Sequence, residues 1–137
     1  MWTNIAKFVS KWCLTALVFF LGLTVPVNAS DIMSLSNINL EAPSSEQGTV
    51  VISCEPFHQE GKGFFQRVAV DVNWGKVIVG IPCLYDDGTH GDKKADDGIY
   101  SVKVSVPDGA GRVSLRFYLL DVNGDEAEIG PVDRELP

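Results

Sequence analysis

From residue 30 onward, hydrophobic and polar positions alternate with a period of two in short runs separated by glycine, proline, asparagine and aspartate. That is the pattern of half-buried antiparallel strands, not the 3.6-residue period of amphipathic helices. Val50, Ile52 and Cys54 share one face of a run over 49–54. Val68, Val70 and Val72 do so in 65–72, Tyr100, Val102, Val104 and Val106 in 100–106, and Val113, Leu115, Phe117 and Leu119 in 113–119. A weaker run covers 32–40. Another, over 76–85, carries Val77, Val79 and Ile81 on one face but is interrupted by Gly80 and Pro82, which predicts an edge strand or one that switches sheets. The Asn123-Gly124 pair predicts a tight hairpin into a last run over 126–132. Residues 55–63, with Pro56, Gly61 and Gly63, read as a loop. Seven strands and no helix predict an all-β, two-sheet antiparallel sandwich of the immunoglobulin type.

The first 29 residues have a different pattern. Lys7 and Lys11 precede an uncharged apolar run over 12–25, and Val27-Asn28-Ala29 places small residues where signal peptidase cuts. The run is shorter than the roughly 20 residues of a spanning helix. Residues 1–29 therefore read as a signal peptide and residues 30–137 as one domain, with export to the medium, periplasm or cell surface and no membrane attachment after cleavage. The sequon Asn28-Ala29-Ser30 straddles the expected cut, so glycosylation there is not expected.

Charge narrows the partners. Segment 30–137 holds nine basic against 18 acidic residues, a formal charge of −9. Nucleic acid and anionic membranes are disfavoured, because their charge would repel such a surface.

The acidic residues concentrate in the stretch LYDDGTHGDKKADDGIYS, residues 84–101. Asp86, Asp87, Asp92, Asp96 and Asp97 stand among Gly88, Gly91 and Gly98. Two readings fit. In one, the carboxylates accept hydrogen bonds from nearby backbone amides and brace a turn. In the other, Asp86, Asp87, Asp92 and Asp97 converge to supply oxygen ligands for calcium. Counted from Asp86, the spacing has an EF-hand-like glycine at position 6 and a carboxylate at position 12. Gly88 and His90, however, fall at positions 3 and 5, where that loop needs oxygen ligands. The run Asp121-Val122-Asn123-Gly124-Asp125 lacks a carboxylate at its twelfth position, Val132, and reads as the hairpin turn.

The eighteen-residue stretch resembles the "LyDDGthGDxxAgDGiYs" signature of immunoglobulin-like or fibronectin-III-like modules in bacterial secreted and surface proteins of the choice-of-anchor X type. A looser version is found in animal chloride-channel-accessory proteins. Beyond this stretch the resemblance is one of strand order. It implies an adhesion or structural module and names no activity. Asp96 stands where the signature often has glycine.

Cys54 and Cys83 are the two cysteines left after the expected cleavage; in an oxidising compartment they are expected to pair as a disulfide. The rival is a zinc site built from Cys54, His58, Cys83 and His90, whose spacings match no familiar zinc module. Neither histidine lies in a nucleophile motif, and the chain is short for an enclosed catalytic cleft. The expectation is a non-catalytic extracellular binding, adhesion or structural module with a protein or glycan partner and calcium as its one candidate ion. The alternative is a small secreted enzyme with a metal-dependent site in the acidic loop.

Overall fold

The computed structural model describes residues 32–137. The expected signal peptide over 1–29 lies outside the described residues. Seven strands form two antiparallel sheets. Strands β1 (Met33–Glu41), β2 (Thr49–His58) and β5 (Tyr100–Ser105) form one sheet in the order β1-β2-β5. Strands β3 (Phe65–Asn73), β4 (Ile78–Ile81), β6 (Arg112–Asp121) and β7 (Glu126–Glu135) form the other in the order β4-β3-β6-β7. This is the two-sheet immunoglobulin-like sandwich that the alternation predicts. A 3-10 turn, Lys62–Phe64, precedes β3.

The inward faces are those that share parity along the strands. Val50, Ile52 and Cys54 of β2 and Val102 and Val104 of β5 pack against Val68, Val70 and Val72 of β3 and Leu115, Phe117 and Leu119 of β6. Phe117 is the largest fully buried side chain. Removing water from these apolar faces is what holds the two sheets together.

Two boundaries differ from expectation. Strand β2 runs on to His58 through residues read as loop, because Ser36, Leu35, Ser34 and Met33 of β1 pair with Glu55, Pro56, Phe57 and His58. Pro56 is tolerated there because β5 has already left, its last partner being Cys54. The run over 76–85 divides. Residues 78–81 are an edge strand on β3, and after Pro82 the chain crosses to the other sheet, where the Tyr85 and Ser101 backbones exchange hydrogen bonds of 2.9 and 2.8 Å.

The expected Cys54–Cys83 disulfide is not formed; both cysteines are free thiols. Cys54 is fully buried on the inward face of β2, whereas Cys83 lies in the crossing segment and its thiol donates to Leu84 O at 3.3 Å. Burial pushes the Cys54 thiol up to about 12, so almost none of it is thiolate near neutrality. In the reduced, folded protein at pH 8, iodoacetamide is expected to alkylate Cys83 and to spare Cys54 until denaturant is added. Equal rates at both positions would show that Cys54 is not held in the core.

Candidate functional site: the acidic strap

The acidic stretch lies across a face of the sandwich, not at one of its ends. After the Tyr85–Ser101 bridge the chain folds back over the outer side of β5 and β2, making a strap. Gly91 rests on Val51 so closely that a Cβ there would stand 2.9 Å from both Val51 methyl carbons. Its φ of 94° is in the left-handed region that glycine enters without steric cost. Beyond it, Lys93 reaches β1 and pairs with Glu41 at 2.8 Å. Underneath, Val51 and Ser101 are buried although they face away from the core.

Asp86 closes the strap on itself. Its Oδ1 accepts from the Asp97 amide at 3.1 Å, its Oδ2 from the Gly98 amide at 3.0 Å, and its carbonyl from the Asp96 amide at 3.1 Å. Asp92, itself buried, accepts from the Gly88 amide at 2.7 Å, and Asp97 accepts from the Ile99 amide at 2.9 Å. The bracing read from the sequence is therefore present. Asp96 has a φ of 59°, which explains why glycine suits that position; aspartate is one of the few other residues that tolerate it.

The same folding brings three carboxylates together. Asp86, Asp92 and Asp97 each place an oxygen within 4.8 Å of the other two, the one such group of three or more His, Cys, Asp and Glu ligand atoms among the described residues. Asp87, expected as a fourth ligand, is not among them. Its Oδ1 accepts from the amide and hydroxyl of Thr89, and these bonds hold its carboxyl below the usual range. Asp86 is displaced the other way. Burial raises it first, the amides of Gly98 and Asp97 offset part of this, and the carboxylates of Asp97 and Asp92 push it further up. Two of the nearby cations serve other groups, Lys93 going to Glu41 and Lys62 to the Asp96 carbonyl. A groove of about 560 Å³ runs between the strap and β1, lined by Asn37, Asn39, Ser53, Asp92, Asp97 and Ser101. The set of three oxygens suits a hard, oxygen-seeking cation such as calcium better than a thiol- or imidazole-preferring metal.

The zinc alternative is not assembled, since its four residues lie in different surroundings. His90 stacks on Tyr85 with ring centroids 3.9 Å apart. His58 is buried at the end of β2, where the Glu60 amide donates to its Nδ1 at 2.9 Å. That makes Nδ1 the acceptor and puts the proton on Nε2, which donates to Asp121 Oδ2 at 3.1 Å. Asp121, fully buried, also accepts from the amides of Asn123 and Asp125 at 2.8 and 2.9 Å. Burial raises the Asp121 carboxyl, but the bonds from His58, Asp125 and Asn123 outweigh it, and the net displacement is downward. Both ring nitrogens of His58 are thus committed to structure, with neither turned to a nucleophile. This tie joins the end of β2 in one sheet to the end of β6 in the other. The sequence reading missed it because it ended β2 at Cys54. Carried four residues further, the parity of Ile52 and Cys54 leads to His58, and that of Phe117 and Leu119 leads to Asp121.

Compared with family models, curated proteins and solved structures, the chain matches none.

Proposed function

We propose that the protein is a non-catalytic extracellular binding or structural module in which calcium, held by Asp86, Asp92 and Asp97, fixes the strap and shapes the groove beside it for a protein or glycan partner. The observation that supports this reading is the convergence of the three carboxylates, with Lys93 paired to Glu41 and Lys62 to the Asp96 carbonyl and not to them. Ionised and uncompensated, they repel one another and cost stability; a divalent cation turns that cost into attraction. The backbone amides that already brace each carboxylate leave further lone pairs for the ion.

A ligand that binds the folded strap better than the unfolded chain raises the melting temperature in a concentration-dependent way. Extracellular modules bind calcium with Kd values of roughly 10⁻⁴ to 10⁻³ M, so 10 mM calcium is expected to add about 1–3 kcal/mol relative to chelator. In Asp92→Asn the response is expected to disappear. A parent melt that is identical in chelator and in 10 mM calcium would reduce the strap to a hydrogen-bonded turn.

A further inference from the structure

Each sheet of the sandwich ends in two edge strands, and an edge exposes unpaired N–H and C=O groups that invite another strand unless something blocks them. Three of the four edges are blocked. β1 is broken by a register shift between Ser36 and Asn39, with Asn37 at a φ of 48°. β5 is covered at its start by the Tyr85 bridge and carries Lys103. β7 carries Glu126, Glu128, Asp133, Arg134, Glu135 and Pro131. The fourth edge, β4, is four residues long and is followed by Pro82, but among the described residues it carries no charge and no bulge of its own. No charge occurs between Lys76 and Asp86, and Val77, Ile78 and Val79 are 46%, 67% and 39% exposed.

The hydrogen-bond phase of β4 determines which groups are on offer. The Trp74 amide donates to Val77 O at 2.8 Å, so Trp74 and Val77 form a hydrogen-bonded pair. With Val72 opposite Val79 and Val70 opposite Ile81, alternation turns the backbone groups of Val79 and Ile81 toward β3. Those of Ile78 and Gly80 point outward. Pro82, which has no N–H, ends the run.

We propose that β4 pairs antiparallel with β4 of a second copy of this chain, with Val79 on the two-fold axis. In this register Ile78 lies opposite Gly80 of the second copy and makes both of its hydrogen bonds there. The two-fold repeats the pair, giving four bonds; sliding by two residues in either direction pairs Ile78 with Pro82, which has no N–H to return, or Gly80 with Lys76 in the turn. Side chains fit the same register. Ile78 and Gly80 face outward from the sandwich, opposite Asn73 and Asp71 of β3. The most exposed isoleucine of one copy thus covers the glycine of the other, at the margin of a groove of about 570 Å³ lined by Ala69, Asp71, Pro82 and Tyr118. Charge agrees, since Lys76 of one copy falls opposite Pro82 of the other, beside a groove in which the carboxylates of Asp71, Glu126 and Glu128 outnumber the one cation, Arg67. An isologous pairing of this kind closes at two copies, because the other edges are blocked. A contact built on one four-residue strand per copy is small against the ~1,200 Å² of a stable interface, so the dimer is expected at about 100 µM protein and above.

Sedimentation equilibrium of the purified protein from 10 µM to 1 mM is expected to show a monomer–dimer transition, and Ile78→Lys to remain monomeric with an unchanged circular dichroism spectrum. A Val79→Cys variant in a Cys83→Ser background is expected to form a disulfide-linked dimer on mild oxidation. The two-fold sets these Cα atoms about 4.5 Å apart, whereas Ile78→Cys residues lie beyond the ~7 Å limit for a bridge. A monomer at 1 mM, a dimer that survives Ile78→Lys, or faster cross-linking through Ile78→Cys than through Val79→Cys would each overturn the proposal. A calcium response of the melt is independent of all three outcomes.

Discussion

Asp121→Ala is expected to lower the unfolding free energy by about 3–5 kcal/mol in urea titration, a large share of the total for a domain of this size. The carboxylate is fully buried and accepts from His58 Nε2 and from the amides of Asn123 and Asp125. Alanine leaves a buried imidazole N–H without a partner and releases the β6–β7 turn. Asp121→Asn is expected to cost nearly as much. With its oxygen toward the two backbone amides its NH₂ meets the His58 N–H donor to donor, and switching the histidine tautomer sets Nδ1–H against the Glu60 amide. The parent's pH profile follows from the same bonds. The folded carboxyl is held below its ordinary value, so its contribution is complete above the unfolded pKa of about 3.9 and is lost as pH falls through the folded value. The parent should therefore lose stability below about pH 4, with a smaller acid-side slope in Asp121→Asn. A cost for Asp121→Ala under about 1 kcal/mol would show that the two sheets do not depend on this tie.

Gly91→Ala is expected to cost about 2–5 kcal/mol, combining left-handed backbone strain with overpacking against Val51. The new Cβ would stand 2.9 Å from both Val51 methyl carbons at a φ of 94°. A double-mutant cycle separates the two contributions. In a Val51→Ala background the penalty of Gly91→Ala is expected to shrink by on the order of 1–2 kcal/mol, since the clashing methyls are gone and the strain remains. Strictly additive effects would mean that the strap does not lie on β2.

Strand parity was the most informative feature of the sequence, and it led correctly to the inward faces of β2, β3, β5 and β6. It failed where composition was allowed to override it. Pro56 and the polar residues around it suggested a loop, yet β1 continues the pairing past Cys54 and carries His58 into the interior. The acidic stretch was legible as a set of turns, because glycines and carboxylates act on the backbone beside them. Its position over the three-stranded sheet was not, because that depends on Gly91 meeting Val51, forty residues away in sequence. The same limit applies to the ligand set. Which of the aspartates turn inward is decided by bonds such as Thr89 to Asp87, and spacing alone treats all of them alike. The free thiols follow from the same cause, since spacing does not show that Cys54 sits in the core of β2 while the Cys83 thiol turns to the Leu84 carbonyl.

The polarity of the sandwich has a mechanical consequence. Met33 begins β1 beside His58, at the end of the molecule where β6 finishes, whereas β7 finishes opposite Arg112 and the Leu136 amide bonds to Gly111 O at the other end. Tension applied between the start of β1 and the end of β7 therefore runs along the strands. It loads the β1–β2 and β6–β7 ladders in shear, so that their hydrogen bonds must yield together instead of opening one after another like a zip. The His58–Asp121 tie sits at the β1 end and couples the two sheets at the point where that force enters.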